Sequence, residues 1–143
     1  MVISLVIPRK PLTTNHIYGQ KKYGKGRFLK DEAKDFKKEI QILMRGKRLP
    51  YDESKHYVGI EYYIYLSNFW TKKKKINLKS GDCDNFKKLV QDSIFDCLKI
   101  NDAIICDDGT KKRYGEKDTT VIIIRLHPLE ELGEPLTHLV SGI

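Results

Sequence analysis

Ten residues near the middle of the chain alternate without a break: Val58, Ile60, Tyr62, Ile64 and Leu66 interleave with Tyr57, Gly59, Glu61, Tyr63 and Tyr65. Only a β-strand turns successive side chains to opposite sides. The segment therefore predicts a long strand with an aliphatic face and an aromatic face, suited to the centre of a sheet. The aromatic face is expected to pack against a helix rather than to stack on bases. A chain of 143 residues holds one core of this kind but not two comfortably, so a single domain is expected over 1–127, with 128–143 as a tail.

The remaining pattern supplies partners for that strand. Val2 to Ile7 is rich in β-branched residues and stops at Pro8, which predicts a first strand. Ala33, Phe36, Ile40, Leu43 and Met44 recur at helical spacing within Asp31 to Arg45, with acids in the first turn and Gly46 beyond the end. A second helix is predicted over Asn85 to Leu98, where Phe86, Leu89, Val90, Ile94 and Leu98 form an apolar stripe. Asp84, Lys88, Asp92 and Asp96 form a polar stripe expected to face a site. Ala103 to Cys106, Lys111 to Tyr114 and Thr119 to Leu126 read as strands, the last two joined as a hairpin through Gly115 to Asp118, with Asp107-Asp108-Gly109 at a bend. Strand, helix, strand, helix, strands is the order of an α+β domain, a small mixed sheet with two packed helices.

A formal net charge of +8 on a folded chain points to a polyanionic partner. No apolar run approaches the roughly 20 residues of a membrane-spanning helix, and the opening Met1 to Ile7 lacks the marks of a signal peptide, so no membrane association is expected. The odd count of cysteines, Cys83, Cys97 and Cys106, shows no Cys-x-x-Cys spacing, arguing against a disulfide framework or zinc site and for a reducing cytoplasm. The basic residues are grouped. Lys21, Lys22, Lys25 and Arg27 lie in a connection interleaved with Tyr18 and Tyr23, which suits phosphates and unstacked bases. Lys72, Lys73, Lys74 and Lys75 follow Phe69-Trp70, and Lys79 stands just before an acidic stretch; these lysines form a path for a phosphate backbone.

That stretch, Gly81-Asp82-Cys83-Asp84-Asn85, is answered by Asp107-Asp108. Two carboxylates about 4 Å apart repel by roughly 4 kcal/mol at an effective dielectric near 20, and a fold that gathers several relieves them with a cation. Magnesium, or manganese, takes such oxygen donors. Aspartate ahead of an apolar run is also an ordinary helix cap. Lys88, one helical turn after Asp84, and the second acidic pair weigh toward a site.

At these residues the chain resembles the RusA family of phage and prophage Holliday-junction resolvases. The shared pattern is Asp82-x-Asp84-Asn85-x-x-Lys88, then Phe95-Asp96-Cys97-Leu98, then Asp107-Asp108, preceded by a short strand and Pro11-Leu12-Thr13-Thr14-Asn15. The chain departs from the family twice. The helix is longer by about one turn, leaving either Asp92 or Asp96 at the family's mid-helix aspartate, and Gly81 stands where an arginine is common. The resemblance implies a magnesium-dependent endodeoxyribonuclease acting on four-way or branched DNA in recombination and repair. Asp82, Asp84 and Asp108 are the expected metal ligands, with Asp107 as the alternative, and Lys88 is expected to assist at the phosphate. Lys117 falls near a family lysine and is a further phosphate-contact candidate. A homodimer is expected, because paired cuts need two sites. The competing readings are a non-catalytic nucleic-acid-binding module and a metal-dependent nuclease for RNA or flaps.

Overall fold

The structure is a computed structural model that describes residues 1–11, 18–20, 27–29 and 31–133, with the backbone alone at 18–20, 27–29, 84 and 85. Lys21, Lys22, Lys25 and the Pro-Asn segment after Pro11 lie outside the described residues, as does the tail from 134. Strands β1 (Val2–Ile7), β4 (His56–Leu66), β5 (Ile105–Tyr114) and β6 (Thr119–Pro128) form a mixed sheet in the order β1-β6-β4-β5, while β2 (Tyr18–Gln20) pairs with β3 (Arg27–Leu29) separately. Helices α1 (Asp31–Leu43) and α2 (Lys88–Leu98) pack against each other and share one core with the sheet. The fold is α+β, as the order of elements predicts.

Alternation decides which face of the sheet is dry. Val58, Ile60, Tyr62, Ile64 and Leu66 are all within 1% of complete burial, and β1 and β6 add Ile3, Leu5, Ile7, Ile122 and Ile124. Ala33, Phe36 and Ile40 of α1 and Leu89, Val90, Ile94 and Phe95 of α2 complete this core. Each such side chain contributes about 1.5–3 kcal/mol when fully buried. The helices therefore lie on the aliphatic face. The aromatic face of β4, expected under a helix, is the other one: Tyr63 and Tyr65 are only half-buried there, and Val2 and Val6 of β1 are exposed.

The predicted hairpin between Lys111 and Leu126 does not form. β4 lies between β5 and β6, parallel to β5 and antiparallel to β6, so residues 115–118 cross over the end of β4. The Gly115 N–H donates to the Leu66 carbonyl at 3.2 Å, and Asp118 accepts from the Ser67 N–H and hydroxyl at 2.8 and 2.9 Å. A Cβ at Gly115 would sit 2.7 Å from Tyr65 Cβ, which is why the crossing chain carries glycine there. Lys117 is exposed in this crossover.

Asp107-Asp108-Gly109 is not a bend but lies within continuous strand. Val58 pairs with Ile105 and Gly59 with Asp107, so Cys106 is the extra residue of a β-bulge. α2 also begins later than the apolar period suggests: Cys83–Phe86 is a 3₁₀ turn, and the helix starts at Lys88 with Lys87 at its N-cap position.

Candidate active site

The bulge at Cys106 determines the direction of the two adjacent aspartates. Ile105 follows buried Val58 onto the helix-covered face; one extra residue later, Asp108 pairs with Ile60 and shares that face, while Asp107 pairs with Gly59 and takes the open one. A regular ladder would have exchanged them, because one residue of register reverses every side chain. The two therefore serve different surroundings.

Asp107 accepts a hydrogen bond from the Tyr57 hydroxyl at 3.1 Å, and Glu131 accepts from the same hydroxyl at 3.4 Å. His127 stacks on Tyr57 with centroids 5.0 Å apart, and its Nδ1 lies 3.4 Å from Glu131. Burial, followed by these carboxylates, pushes the Tyr57 phenol up to about 12, so it remains a donor.

Asp108 instead meets the N-terminal end of α2. Its Oδ1 lies 3.2 Å from Lys87 Nζ, and the lysine side chain is 20% exposed against 44% for the aspartate. The ammonium also lies 5.9 Å from the centre of the Tyr62 ring. Tyr62 is fully buried and donates to Gln91 Oε1 at 2.9 Å, while Gln91 Nε2 donates to Asp102 at 3.0 Å. Burial pushes the Tyr62 phenol far up, and Asp108, Asp102 and Asp92 push in the same direction. Asp102, which sequence reasoning passed over, is thus joined to Tyr62 through Gln91. Its visible signal was Asn101-Asp102, whose asparagine caps the 3₁₀ turn Asp102–Ile104.

The segment carrying Asp82 and Asp84 is fastened to β5 at both ends. Lys112, on the face of Asp108, donates to Ser80 Oγ at 2.9 Å and to the Gly81 carbonyl at 2.7 Å; at the far end of the segment, Lys87 reaches Asp108. Phe86 is buried with Ile64, Leu66 and Phe69, and the 3₁₀ turn that it closes packs on β5. Gly81 has φ +108°, and any side chain there would run into the Phe86 ring. An arginine at this position has no room, which accounts for one departure from the family pattern. Asp82 occupies an N-cap position but makes no side-chain capping bond and is exposed. The structure does not describe the Asp84 side chain. Among the described residues, no group of three or more His, Cys, Asp and Glu stands close enough to hold a metal ion.

The other predicted residues are distributed around this centre. Lys88 pairs with Asp92 at 3.5 Å, and Asp96 pairs with Lys37 of α1 at 3.1 Å, so the polar stripe of α2 divides between the site and the neighbouring helix. Lys72, Lys73, Lys74, Lys75 and Lys79 are all exposed. Of the two aromatics that precede them, Phe69 is buried and Trp70 is half exposed. Arg9, part of the basic run toward Lys30, lies 4.3 Å from the Phe36 ring centre and 3.5 Å from Glu39, so it is engaged with α1.

A small basic α+β domain that fastens an acid-bearing turn beside a strand aspartate and a lysine has the makings of a phosphodiester-cleaving enzyme. The family model described as Endodeoxyribonuclease RusA matches residues 8–125, and the chain belongs to that family. Membership implies endonuclease action at Holliday junctions, and the family is generally dependent on a divalent metal. The chain finds no match among the curated proteins at a significant level.

Proposed function

We propose that this protein is a magnesium-dependent endodeoxyribonuclease, with manganese as a substitute, that resolves four-way DNA junctions by paired cleavage. It acts as a homodimer in recombination and repair in the cytoplasm. The observation that carries this reading is the double attachment of the segment Ser80 to Lys87 onto β5, at Lys112 and at Asp108. It draws the turn of Asp82 and Asp84 toward the face of Asp108 and away from that of Asp107.

The donor set suits a hard cation: carboxylate oxygens only, with Asp82 and Asp108 open to solvent. Asp82, Asp84 and Asp108 would hold it; Asp107, engaged by Tyr57, is left out. A bound magnesium ion would lower the pKa of an attacking water and polarise the scissile phosphate. Lys87 stands beside Asp108, and Lys88 lies one residue further along; both are candidates to stabilise charge developing on the non-bridging oxygens. The exposed Lys72 to Lys75 and Lys79, together with Lys117, Arg27, Lys21, Lys22 and Lys25, are the proposed contacts to the DNA backbone.

The test is incubation with a synthetic four-way junction and with a linear duplex of matched sequence, each with magnesium and with chelator. Symmetrical cuts in the junction alone, abolished by chelator, are expected. Junction binding that is indifferent to metal, with no cleavage, would instead mark a binding module. Preferential cutting of an RNA or flap control would move the substrate class.

A further inference from the structure

The strand β4 leads into an ordered, apolar-faced hairpin whose composition does not suit a mere solvated turn. Trp70 and Ile76 form an antiparallel bridge, closed by Thr71 N–H to the Lys75 carbonyl at 2.8 Å and Asn77 N–H to the Phe69 carbonyl at 2.8 Å. The Asn77 side chain fixes the base of the hairpin, donating to the Asn68 carbonyl at 2.9 Å and accepting from the Lys79 N–H at 3.0 Å. Yet the side chains displayed are apolar: Trp70 is 50% exposed, Ile76 53% and Leu78 89%. Bridge partners share a face, and Leu78 follows Ile76 across the extended Asn77. Ile76 and Leu78 line a shallow hollow together with Lys72, Lys73, Lys75 and Lys79, and Trp70 stands beside it through its bridge to Ile76.

Exposed apolar groups on a rigid support, ringed by cations, match a ligand that has flat apolar faces inside an anionic backbone. Intact duplex hides its base faces; a branch point, where stacking is interrupted, offers them. We propose that the hairpin Phe69 to Lys79 is the element that senses the branch, with Trp70, Ile76 and Leu78 stacking on base pairs opened at the crossing while the lysines take the flanking phosphates. This rests on the junction-cleaving reading above and adds to it the means of telling a junction from a duplex.

The hairpin is held in register with the proposed catalytic centre. At one end Phe69 is buried with Ile64, Leu66 and Phe86 and meets Trp70 edge-on at 4.7 Å. At the other, Lys112 grips Ser80 and Gly81. Asp108 and Lys112 share a face of β5 four residues apart, about 13 Å at strand rise, a few base pairs of DNA. Stacking at the hairpin would therefore fix which phosphate, a few nucleotides from the branch, reaches the acids.

Trp70 is the only tryptophan in the chain, so its emission reads the contact directly. In chelator, binding of a four-way junction should quench Trp70, and binding of a matched linear duplex should not; 2-aminopurine at the crossing should brighten. Trp70→Ala should lower junction affinity roughly tenfold relative to duplex affinity, as expected for the loss of base stacking. Leu78→Ser, which removes an almost fully exposed side chain, should act in the same direction without risk to the fold. If a mobility shift shows wild-type protein binding the junction while Trp70 responds equally to junction and duplex, or while both variants keep the wild-type preference, the sensing role is wrong and the nuclease reading stands. If wild-type protein binds no junction at all, that reading fails and the inference with it. A Trp70 signal that changes with protein concentration in the absence of DNA would make the hairpin a contact between copies of the chain and overturn the proposal.

Discussion

Asp107 and Asp108 are neighbours in sequence and are separated by the plane of the sheet. If Asp108 holds the ion, Asp108→Asn should abolish magnesium-dependent cleavage while leaving junction binding intact, as should Asp82→Asn and Asp84→Asn. Asp107→Asn should cleave within a few-fold of wild type and instead lose stability of about 1 kcal/mol, because Tyr57 loses a charged acceptor. Single-turnover cleavage on pre-bound junction separates the two; the reverse ranking would show that the bulge does not set the site. The presence of an acidic pair was legible in the sequence, but its division was not. Treating Asp-Asp-Gly as a bend hid the alternation, and a bulge that depends on the β4 partner has no local signature. Lys87 was missed for a related reason: a helix counted from Asn85 makes Lys88 the residue one turn after Asp84, whereas the 3₁₀ turn brings Lys87 to Asp108. Lys99 offers a separate test. It ends α2 at φ 57°, with its N–H donating to Asp96 and the Ile100 N–H to Phe95, an arrangement that usually carries glycine. Lys99→Gly should raise unfolding stability by about 0.5–1 kcal/mol, the left-handed cost relieved less the entropy gained by the unfolded chain, read as a higher urea midpoint with unchanged slope.

At the scale of elements, β1, α1 and β4 were readable because each buries one face with a clean period, and burial enforces that period. The crossover from β5 to β6 was not. Turn-like residues between two strand patterns announce a hairpin only if the strands are each other's neighbours, and here the neighbour of both is β4, some fifty residues earlier in sequence on the scale of the Ser67 to Asp118 contact. Gly115 carries the consequence: Gly115→Ala places a methyl against Tyr65 Cβ and the Lys117 carbonyl, and should cost about 1–3 kcal/mol by urea unfolding. The open face of β4 yields a pH prediction. Glu61 accepts from the Tyr63 hydroxyl at 2.6 Å; that bond first, with Lys111, Arg125 and His127 adding attraction against some burial, holds its carboxyl below the usual range. A lowered folded-state pKa stabilises above the unfolded value, and the gain is lost as pH falls. Glu61→Gln should therefore be less stable than wild type at neutral pH, and the difference should shrink once pH drops below the ordinary value of 4.5. Parallel stability curves from pH 7 to about pH 3 would show that the contact contributes nothing through charge.

For the whole molecule, the arrangement of charge and apolar surface leads to the expected dimer. Resolving a four-way junction into two duplexes takes two symmetry-related cuts, and the proposed ligands Asp82, Asp84 and Asp108 would supply one centre per chain. A two-fold pair is the commonest way to obtain two, and doubling the formal +8 gives +16 on one assembly. The aromatic side of β4 is a candidate joining surface, because among the described residues α1 and α2 lie on the other side. That open face carries exposed Val2 and Val6 and half-buried Val121, Ile123, Tyr63 and Tyr65, while Asp108, Lys87 and the 69–79 hairpin remain free to meet DNA. Pairing through it should be broken by Ile123→Lys, which sets a charge opposite Glu61 and Ser4 on the open face without entering the core. Sedimentation at nanomolar protein should show a dimer for wild type and a monomer for the variant. The variant should still nick one strand of a magnesium-loaded junction but no longer make paired cuts within the lifetime of one complex, which a supercoiled cruciform plasmid reports as nicked circle rather than linear product. A variant that stays dimeric would move the interface to another surface. A wild-type monomer that linearises the plasmid without exchanging partners would remove the need for a dimer altogether.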